Sequence, residues 1–506
     1  MNCGDRDVFH LRFEPLRPLT SSPAQVGGGR YILPSRNLIV HDIEAVVEGA
    51  QLDAMICLSS CDKTTPAHVM AAVRLNIPTV IVACGYQRNA LYEDGGSDIE
   101  EVFLKASYNV LGKSSETYLS EISNRAIRGP GVCAGLGTAN SMHMAAEALG
   151  MAVSMSTPVR ANSETMWDAV HRSATAVAEM IDNNLRPRDI ITAEAIRNAV
   201  TVMLSIGASI NTVKHLQAIA VEAEIDIDVW AEYADRGQIT PILCAVRPNG
   251  PNLIEELEDA GGCATVMREL ETLLVTDCVT VTGRTLSEVL TNARPADGKI
   301  IRTLDNPFST DPSIVIITGS LAPEGAIVKL PVGEKRETRF SGPARIFSSR
   351  DEAIDALAKG LIKAGDVIVM RGMGLIGGPG MGFASALVFA LDGSGIGERV
   401  AVVTDGQLSG LVNKGIVVGE VSPEAAAGGP IGLLEEGDLI SIDLEARTAN
   451  IQVDKEVLKA RSPFVSTGVD GDSPMLRNFG ATAGPLSFGA AECAGGLRPP
   501  ILAEDK

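Results

Sequence analysis

The chain has 506 residues, of which 45% are hydrophobic and 21% are charged, and its formal net charge is −20. This length and composition predict a globular protein of two, at most three, domains with sizeable cores. The acidity excludes nucleic acid and anionic membrane surfaces as expected partners, because both repel a negatively charged protein.

The sequence shows neither a membrane helix nor a secretory signal. No apolar run approaches the ~20 residues that a membrane helix needs. The N-terminal segment lacks the apolar core of a secretory signal, so we expect a cytoplasmic protein, with import into an organelle left open. The nine cysteines are scattered through a long chain, which favours reduced thiols over a disulfide framework.

The first regularly patterned part of the chain follows an irregular stretch that ends near residue 29. Apolar spacing predicts a helix at 40–50, a buried strand at 52–60, a helix at 64–75 and a buried strand at 76–85. A strand, helix and strand in this order form a parallel sheet. Cys61, Asp62 and Lys63 then follow the first strand, at the edge of the sheet where α/β proteins bind ligands.

A glycine-rich loop that contains Cys133 leads into the next predicted helix, within residues 129–152. Asn140 or Ser141 is the expected cap of this helix, and the inward positions are Met144, Ala148 and Leu149. Helical patterns continue to about Tyr233, including 202–224, and a helix pair is expected at 251–274. His143 and His215 lie in helical patterns and are interpreted as packed histidines rather than catalytic ones.

After about residue 310 the chain consists of short β-like runs separated by turns, with 351–365 as its clearest helix. We therefore expect an α/β fold with two domains: an N-terminal parallel-sheet domain at 1–310 and a C-terminal β-barrel-like domain at 311–506. One apolar run, Val400 to Val403, stops at Thr404-Asp405-Gly406, and Ser409 follows in a turn flanked by glycines.

Each of these features alone has a simpler interpretation. Ser409 in isolation fits an ordinary surface turn, and Cys61 or Cys133 in isolation fits a small core residue. The run Gly377-Gly378-Pro379-Gly380, just after a predicted strand, fits either a plain turn or a backbone nest that binds an anion.

Taken together, five segments resemble the dihydroxy-acid and sugar-acid dehydratase family. They occur in the family's order and the resemblance covers about residues 30 to 460. The segments are CDKTTPAHVMAAVRLNIPTV, GTANSMHMAAEALGM, LDNPFSTDPSIVIITGSLAPEGAIVK, GPARIFSSRDEAI and TDGQLSGLVNKG with the PEAAAGGPI and GDLISID that follow it.

The resemblance implies an enzyme that removes water from a 2,3-dihydroxy acid and forms a 2-keto acid. It implies a 2Fe–2S cluster with Cys61 and Cys133 as ligands, and Mg²⁺ with Asp62 and a carbamylated Lys63 as ligands. It also implies that Ser409 is the base that takes the C2 proton. The expected partners are a small hydroxy-acid substrate and further copies of the chain, in a homodimer or homotetramer.

The chain departs from the family pattern at several metal and cluster positions. The upstream Cys-Asn segment that carries the first cluster ligand is missing, and no acid occurs from Pro15 to Val40. Phe383 stands where the last acidic Mg²⁺ ligand is expected, and Glu420 replaces a histidine.

These departures leave three hypotheses open. The first is a working hydro-lyase with ligands from a partner subunit or from unmatched positions. The second is a catalytically impaired paralogue that acts as a binding or partner subunit. The third is an incomplete N-terminus, which would explain the absent cysteine and acid but not Phe383.

Overall fold

A computed structural model gives the structure of residues 28–92, 95–97, 99–332, 337–378, 381, 384–408, 415–465 and 473–492. Within these ranges, no helix combines the length and the apolar character needed to cross a membrane. The seven cysteines found in them form no disulfide, as expected. The fold has the predicted plan, an N-terminal α/β part followed by a C-terminal sheet that nearly closes into a barrel.

The N-terminal part is mostly helical. Its elements are α1 (Ile32–Ala50), β1 (Met55–Ser59), α2 (Thr64–Leu75), β2 (Thr79–Ala83), β3 (Ala90–Tyr92), β4 (Gly95–Ser97), α3 (Ile99–Val110), α4 (Glu116–Ala126), α5 (Thr138–Ala148), α6 (Glu164–Asp182), α7 (Pro187–Ile190), α8 (Ala193–Ser205), α9 (Asn211–Glu222), α10 (Val229–Arg236), α11 (Ile254–Asp259), α12 (Gly262–Glu269) and α13 (Leu286–Leu290).

The predicted parallel sheet is confirmed and consists of β1 and β2. The two strands pair in parallel from Met55 opposite Thr79 to Ser59 opposite Ala83, and α2 connects them. The bounds of α2 match the predicted helix, whereas α1 begins at Ile32, eight residues before the predicted start. Pro34 lies in the first turn of α1, where its missing N–H breaks no helical hydrogen bond.

Two details of the helical region differ from the prediction. The helical pattern at 202–224 is divided between α8 and α9, because the chain takes a left-handed conformation at Gly207 (φ 60°). The expected cap of α5 is wrong, since the helix begins after Gly137 with no side-chain cap. Asn140 instead lies inside α5, and its amide donates back to the carbonyls of Cys133 and Gly135.

The C-terminal part is built on one sheet of eight strands. Its elements are β5 (Ile314–Ile317), β6 (Gly325–Lys329), β7 (Arg339–Phe347), α14 (Arg350–Ala358), β8 (Val367–Met370), α15 (Ser385–Ser394), β9 (Ala401–Thr404), β10 (Ile416–Ser422), β11 (Leu439–Asp443), β12 (Thr448–Ile451), α16 (Lys455–Lys459) and α17 (Pro474–Thr482).

The strand order is β12-β11-β7-β8-β9-β10-β6-β5, so the sheet begins and ends on antiparallel pairs with parallel strands in its middle. Thr318, just after the edge strand β5, forms a bridge to Thr448 at the start of the opposite edge strand β12. This bridge brings the two edges together and nearly closes the sheet. The bridge pairs backbone groups of the two edges, and the sheet encloses an apolar core.

A buried lysine joins the C-terminal sheet to the helical part. Lys329 ends β6, and its ammonium group donates to the carbonyl oxygens of Gly207 (2.8 Å) and Ala208 (2.5 Å) at the break after α8. Burial lowers the pKa of Lys329 to about 7. The side chain therefore donates to two carbonyls at the end of the helix, and that of Gly207 also accepts from the Asn249 amide (3.3 Å).

We expect Lys329→Met to lower the thermal midpoint of unfolding. The substitution removes the donor to the buried Ala208 carbonyl, at a cost of about 1–3 kcal/mol, and leaves the Gly207 carbonyl with the weaker contact from the Asn249 amide (3.3 Å). Differential scanning fluorimetry of the variant beside the exposed control Lys359→Met measures the effect. A midpoint equal to that of the unsubstituted chain would show that water replaces the lysine without loss.

Candidate active site

The first candidate segment lies where the sequence placed it. Cys61, Asp62 and Lys63 follow the end of β1 and precede α2, with Lys63 in the capping position. Cys61 and Asp62 are partly exposed, whereas the Lys63 side chain is fully buried. The segment therefore presents a thiol and a carboxylate at the surface of the edge and an amine beneath them.

Lys63 takes part in a buried contact that sequence reasoning missed. His215 lies between Arg36 and Lys63: its Nδ1 is 3.3 Å from Arg36 Nη1, and its Nε2 is 3.2 Å from Lys63 Nζ. A guanidinium can only donate hydrogen bonds, so Nδ1 accepts and Nε2 carries the ring proton. The Lys63 nitrogen must then accept from Nε2–H, which requires a neutral amine.

Burial favours this neutral form. It lowers the pKa of Lys63 to about 7, against the opposing effect of the Asp62 carboxylate, and the nearby Lys214 cation acts in the same direction as burial. Burial also lowers the pKa of His215 well below its ordinary value, so that the imidazole stays neutral. His143 and His215 are both buried, as expected, and His143 Nε2 contacts the Ser59 carbonyl oxygen.

The loop that carries Cys133 packs against the same edge of the small sheet. Val132 forms a bridge with Tyr86, which follows β2, and the amide of Gln87 donates to the Val132 carbonyl. Cys61 and Cys133 therefore follow segments that meet at the carboxyl ends of β1 and β2. No three His, Cys, Asp or Glu side chains of the described residues come together as a metal-binding group.

A polar network connects this edge to the C-terminal sheet. The Asn211 amide at the start of α9 donates to Thr138 Oγ1 (3.1 Å), Ser209 Oγ (3.3 Å) and the Leu408 carbonyl oxygen (3.3 Å). Thr138 begins α5, the helix that follows the Cys133 loop. Asn211 therefore contacts both the glycine-rich loop region and the turn after β9.

Asp405 holds this turn from the other side. Its carboxylate is fully buried and accepts hydrogen bonds from the backbone N–H groups of Gly372 (2.9 Å), Met373 (2.9 Å) and Ala425 (3.0 Å). Burial raises the pKa of Asp405, and these three donors oppose the rise. One carboxylate thus joins the turn after β9 to the loop after β8 and to the segment after β10.

The backbone of the glycine-rich loop after β8 binds a carboxyl group of the same chain. The Glu424 carboxylate accepts from the N–H groups of Ile376 (2.7 Å) and Gly377 (3.5 Å). A Cβ atom at Gly374 would collide with that carboxylate, so this position requires glycine. Of the predicted nest, Pro379 and Gly380 lie outside the described residues, and the part that is described binds Glu424.

Burial raises the pKa of Glu424 to about 7, and the neighbouring Asp405 contributes to the rise. Two buried carboxyl groups therefore face the loop 372–378. The strand end at Asp405 was visible in the sequence, but the partner Glu424 is separated from the loop by about 50 residues and gave no local signal.

A further buried pair lies beside Asn211. On the next turn of α9, Lys214 forms an ion pair with Glu420 of β10, and both side chains are fully buried. Burial lowers the pKa of Lys214, and the Glu420 carboxylate opposes this change. In the sequence, Glu420 stood out only because it takes the place of an expected histidine, and nothing indicated that Lys214 is its partner.

The predicted base Ser409 and the predicted departure Phe383 both lie outside the described residues. The described part of the chain ends at Leu408, just before Ser409, and resumes at Gly415. The structure therefore describes the anchors of the candidate turn, namely Asp405, Asn211 and the Gly406 carbonyl that Glu420 contacts.

Comparison with known proteins gives matches over nearly the whole chain. Residues 22–289 match the family model described as dihydroxy-acid/6-phosphogluconate dehydratase N-terminal, and residues 299–490 match its C-terminal counterpart. The chain is 39% identical to the dihydroxy-acid dehydratase of Aquifex aeolicus over 466 residues, which is 92% of this chain and 84% of that protein.

Two further relatives show the same degree of similarity. The dihydroxy-acid dehydratase of Nitratidesulfovibrio vulgaris (strain DP4) is 39% identical over 472 residues, with 92% of this chain and 84% of that protein covered. The dihydroxy-acid dehydratase of Caldicellulosiruptor saccharolyticus is 39% identical over 438 residues, with 86% and 79% covered.

The raised pKa of Glu424 predicts a pH-dependent stability. The unfolded carboxyl group loses its proton near the ordinary value of 4.5, whereas the folded group keeps it to about 7. The folded protein binds more protons between these values, so the contribution is present below pH 4.5 and is lost as the pH rises through 7.

We therefore expect Glu424→Gln to reduce the fall in stability between pH 5 and pH 7.5. Urea unfolding at both pH values measures the difference, with the exposed Glu48→Gln as control. An unchanged pH dependence in the Glu424 variant would show that this carboxyl group titrates normally in the folded protein.

Proposed function

This chain belongs to the dihydroxy-acid/6-phosphogluconate dehydratase family, and we propose that it dehydrates a 2,3-dihydroxy carboxylic acid with Ser409 as the base. The observation that carries the activity is the continuous family match, which extends through both halves of the chain. The relatives are named dihydroxy-acid dehydratases, so the chain is a hydro-lyase by family.

In the proposed reaction the Ser409 alkoxide takes the proton from C2 while the C3 hydroxyl group leaves as hydroxide. The proton then passes from Ser409 to this hydroxide, which forms one water molecule and restores the alkoxide. The resulting enol tautomerises to the 2-keto acid, so no atoms other than those of one water molecule are lost. A serine hydroxyl is a weak base at neutral pH unless a nearby positive charge stabilises its alkoxide. This requirement makes the charges around the turn important.

Several described contacts support this assignment. Asp405 and Asn211 hold the turn that leads to Ser409, and neither contact depends on the conformation of the serine itself. The buried ion pair of Lys214 with Glu420 lies beside this turn, since the Glu420 N–H donates to the Gly406 carbonyl. The predicted homodimer or homotetramer and the cytoplasmic location remain part of the proposal and rest on the resemblance and the sequence.

The family resemblance also implies an iron–sulfur cluster and Mg²⁺, and the donors among the described residues do not fit either group. The resemblance implies a 2Fe–2S cluster held by three cysteines, whereas Cys61 and Cys133 provide two. Mg²⁺ requires a near-octahedral set of oxygen ligands, whereas Asp62 provides one carboxylate and the Lys63 nitrogen already contacts His215. No chemical step is therefore assigned to either group.

We expect Ser409→Ala to abolish formation of keto acid while the fold is retained. The serine is the proposed proton acceptor, and loss of a catalytic base lowers rates about 10²–10⁴-fold. The assay detects 2-keto acids from a panel of branched 2,3-dihydroxy acids and sugar acids, after anaerobic purification. Turnover by the variant equal to that of the unsubstituted enzyme would remove Ser409 from the mechanism.

We expect the purified chain to hold well under two iron and two sulfide ions, and to bind Mg²⁺ weakly. Two thiolates and one carboxylate are an incomplete donor set for these groups. Iron and acid-labile sulfide are counted after anaerobic reconstitution and gel filtration, and Mg²⁺ binding is measured by calorimetry. A full cluster that survives gel filtration would mean that a partner subunit or residues outside the described ranges supply the missing ligands.

A further inference from the structure

The buried ion pair between Lys214 and Glu420 joins the two halves of the candidate site. Lys214 lies on α9 of the helical part, and Glu420 lies on β10 of the C-terminal sheet. Both side chains have no exposed surface, and the ammonium group contacts Glu420 Oε1. Among the residues that the structure describes, the second carboxylate oxygen, Oε2, has no hydrogen-bond partner.

A buried ion pair needs a reason beyond stability. Removing two charges from water costs several kcal/mol per ion, and well-packed apolar side chains of similar volume are often equally stable or more stable. The best-documented use of such a pair is to select one arrangement of the surrounding elements.

The backbone at Glu420 is arranged for this contact. The register between β10 and β6 shifts between Gly419 and Ser422, which marks a bulge, and Glu420 itself has a left-handed conformation (φ 56°). Such a conformation is unfavourable in a residue other than glycine and persists only where surrounding contacts enforce it. Bulges of this kind redirect a side chain away from the ladder.

The same face of α9 contacts the turn that precedes Ser409. Asn211 and Lys214 are three positions apart and therefore lie on one face of the helix. The Asn211 amide donates to the Leu408 carbonyl (3.3 Å), and the N–H of Glu420, the partner of Lys214, donates to the Gly406 carbonyl (3.3 Å). The Asn211 side chain thus holds the Leu408 end of the turn from α9, and the backbone of Glu420 holds the Gly406 end from β10.

We propose that Lys214 and Glu420 are a positioning pair that fixes the Gly406–Leu408 turn against α9 and so sets the position from which Ser409 acts. This inference rests on the proposed role of Ser409. We assign the pair no contact with the reacting atoms. It acts through the backbone of the turn, and its loss misplaces the base without removing it.

The test uses the double variant Lys214→Met/Glu420→Met in the full chain. A single substitution leaves one buried charge unpaired and endangers folding, whereas the double substitution removes both charges and keeps the volume similar. We expect a thermal midpoint close to that of the unsubstituted chain, a fall in kcat of about tenfold or more and a nearly unchanged KM, because a base displaced by about 1 Å loses rate rather than affinity.

A second double variant on the same helix is the matched control. Arg74→Met/Glu222→Met removes an ion pair that joins α9 to α2, away from the turn. We expect this control to retain kcat. An unchanged kcat in Lys214→Met/Glu420→Met, or an equal loss of kcat in the control, would overturn the proposal. If Lys214→Met/Glu420→Met does not fold, Glu420→Gln is used instead, because it keeps an acceptor for Lys214. An unchanged kcat in Glu420→Gln would then overturn the proposal.

Amide hydrogen exchange separates this inference from the proposed function. We expect the methionine pair to speed exchange in the peptide that covers 401–408 and to leave the β11 peptide unchanged. Unchanged exchange at 401–408 would overturn the positioning role whether or not the chain is active. Full activity of Ser409→Ala, or no turnover by the unsubstituted chain, would instead overturn the assignment of the base, and the exchange result would still decide the role of the pair.

Discussion

The interior of this protein is organised by the need to satisfy basic side chains that have no access to water. Four basic side chains of the described residues are buried: Arg36, Lys63, Lys214 and Lys329. Each of them contacts a partner outside its own helix, strand or loop. A buried unpaired charge costs far more than a typical contact gains, so these partners restrict how the helices and the C-terminal sheet can pack. Arg36 and Lys63 share His215, whereas Lys214 and Lys329 each bind across to the other part of the chain.

The candidate site forms where these constraints meet. The carboxyl ends of β1 and β2 bring the Cys61 and Cys133 segments together, and the turn after β9 approaches them through α9. Two buried carboxylates, Asp405 and Glu424, hold the glycine-rich loop after β8 with backbone hydrogen bonds. The result is a turn whose backbone is held by hydrogen bonds from several elements.

Much of the local structure followed from the sequence. The bounds of α2 and the position of β1 were predicted because apolar periodicity and a proline in the first helical turn are local signals. The break between α8 and α9 was missed, because it depends on a left-handed glycine whose carbonyl is bound by Lys329, over a hundred residues away. The cap of α5 was mispredicted since Asn140 donates backwards to the loop instead of capping the helix.

By itself, the sequence determined the family, the two-part α/β plan and the segments that carry Cys61, Cys133 and Ser409, because these depend on motifs and periodicity read along the chain. Only the tertiary structure decided what surrounds them: His215 between Arg36 and Lys63, Glu424 in the glycine-rich loop, and Glu420 against Lys214. Lys214 and Glu420 are 206 residues apart in the chain. Polar side chains pair when they are buried, because an unpaired polar group loses its hydrogen bonds to water. Which side chains are buried together depends on the packing of the whole molecule and cannot be predicted from a local sequence pattern.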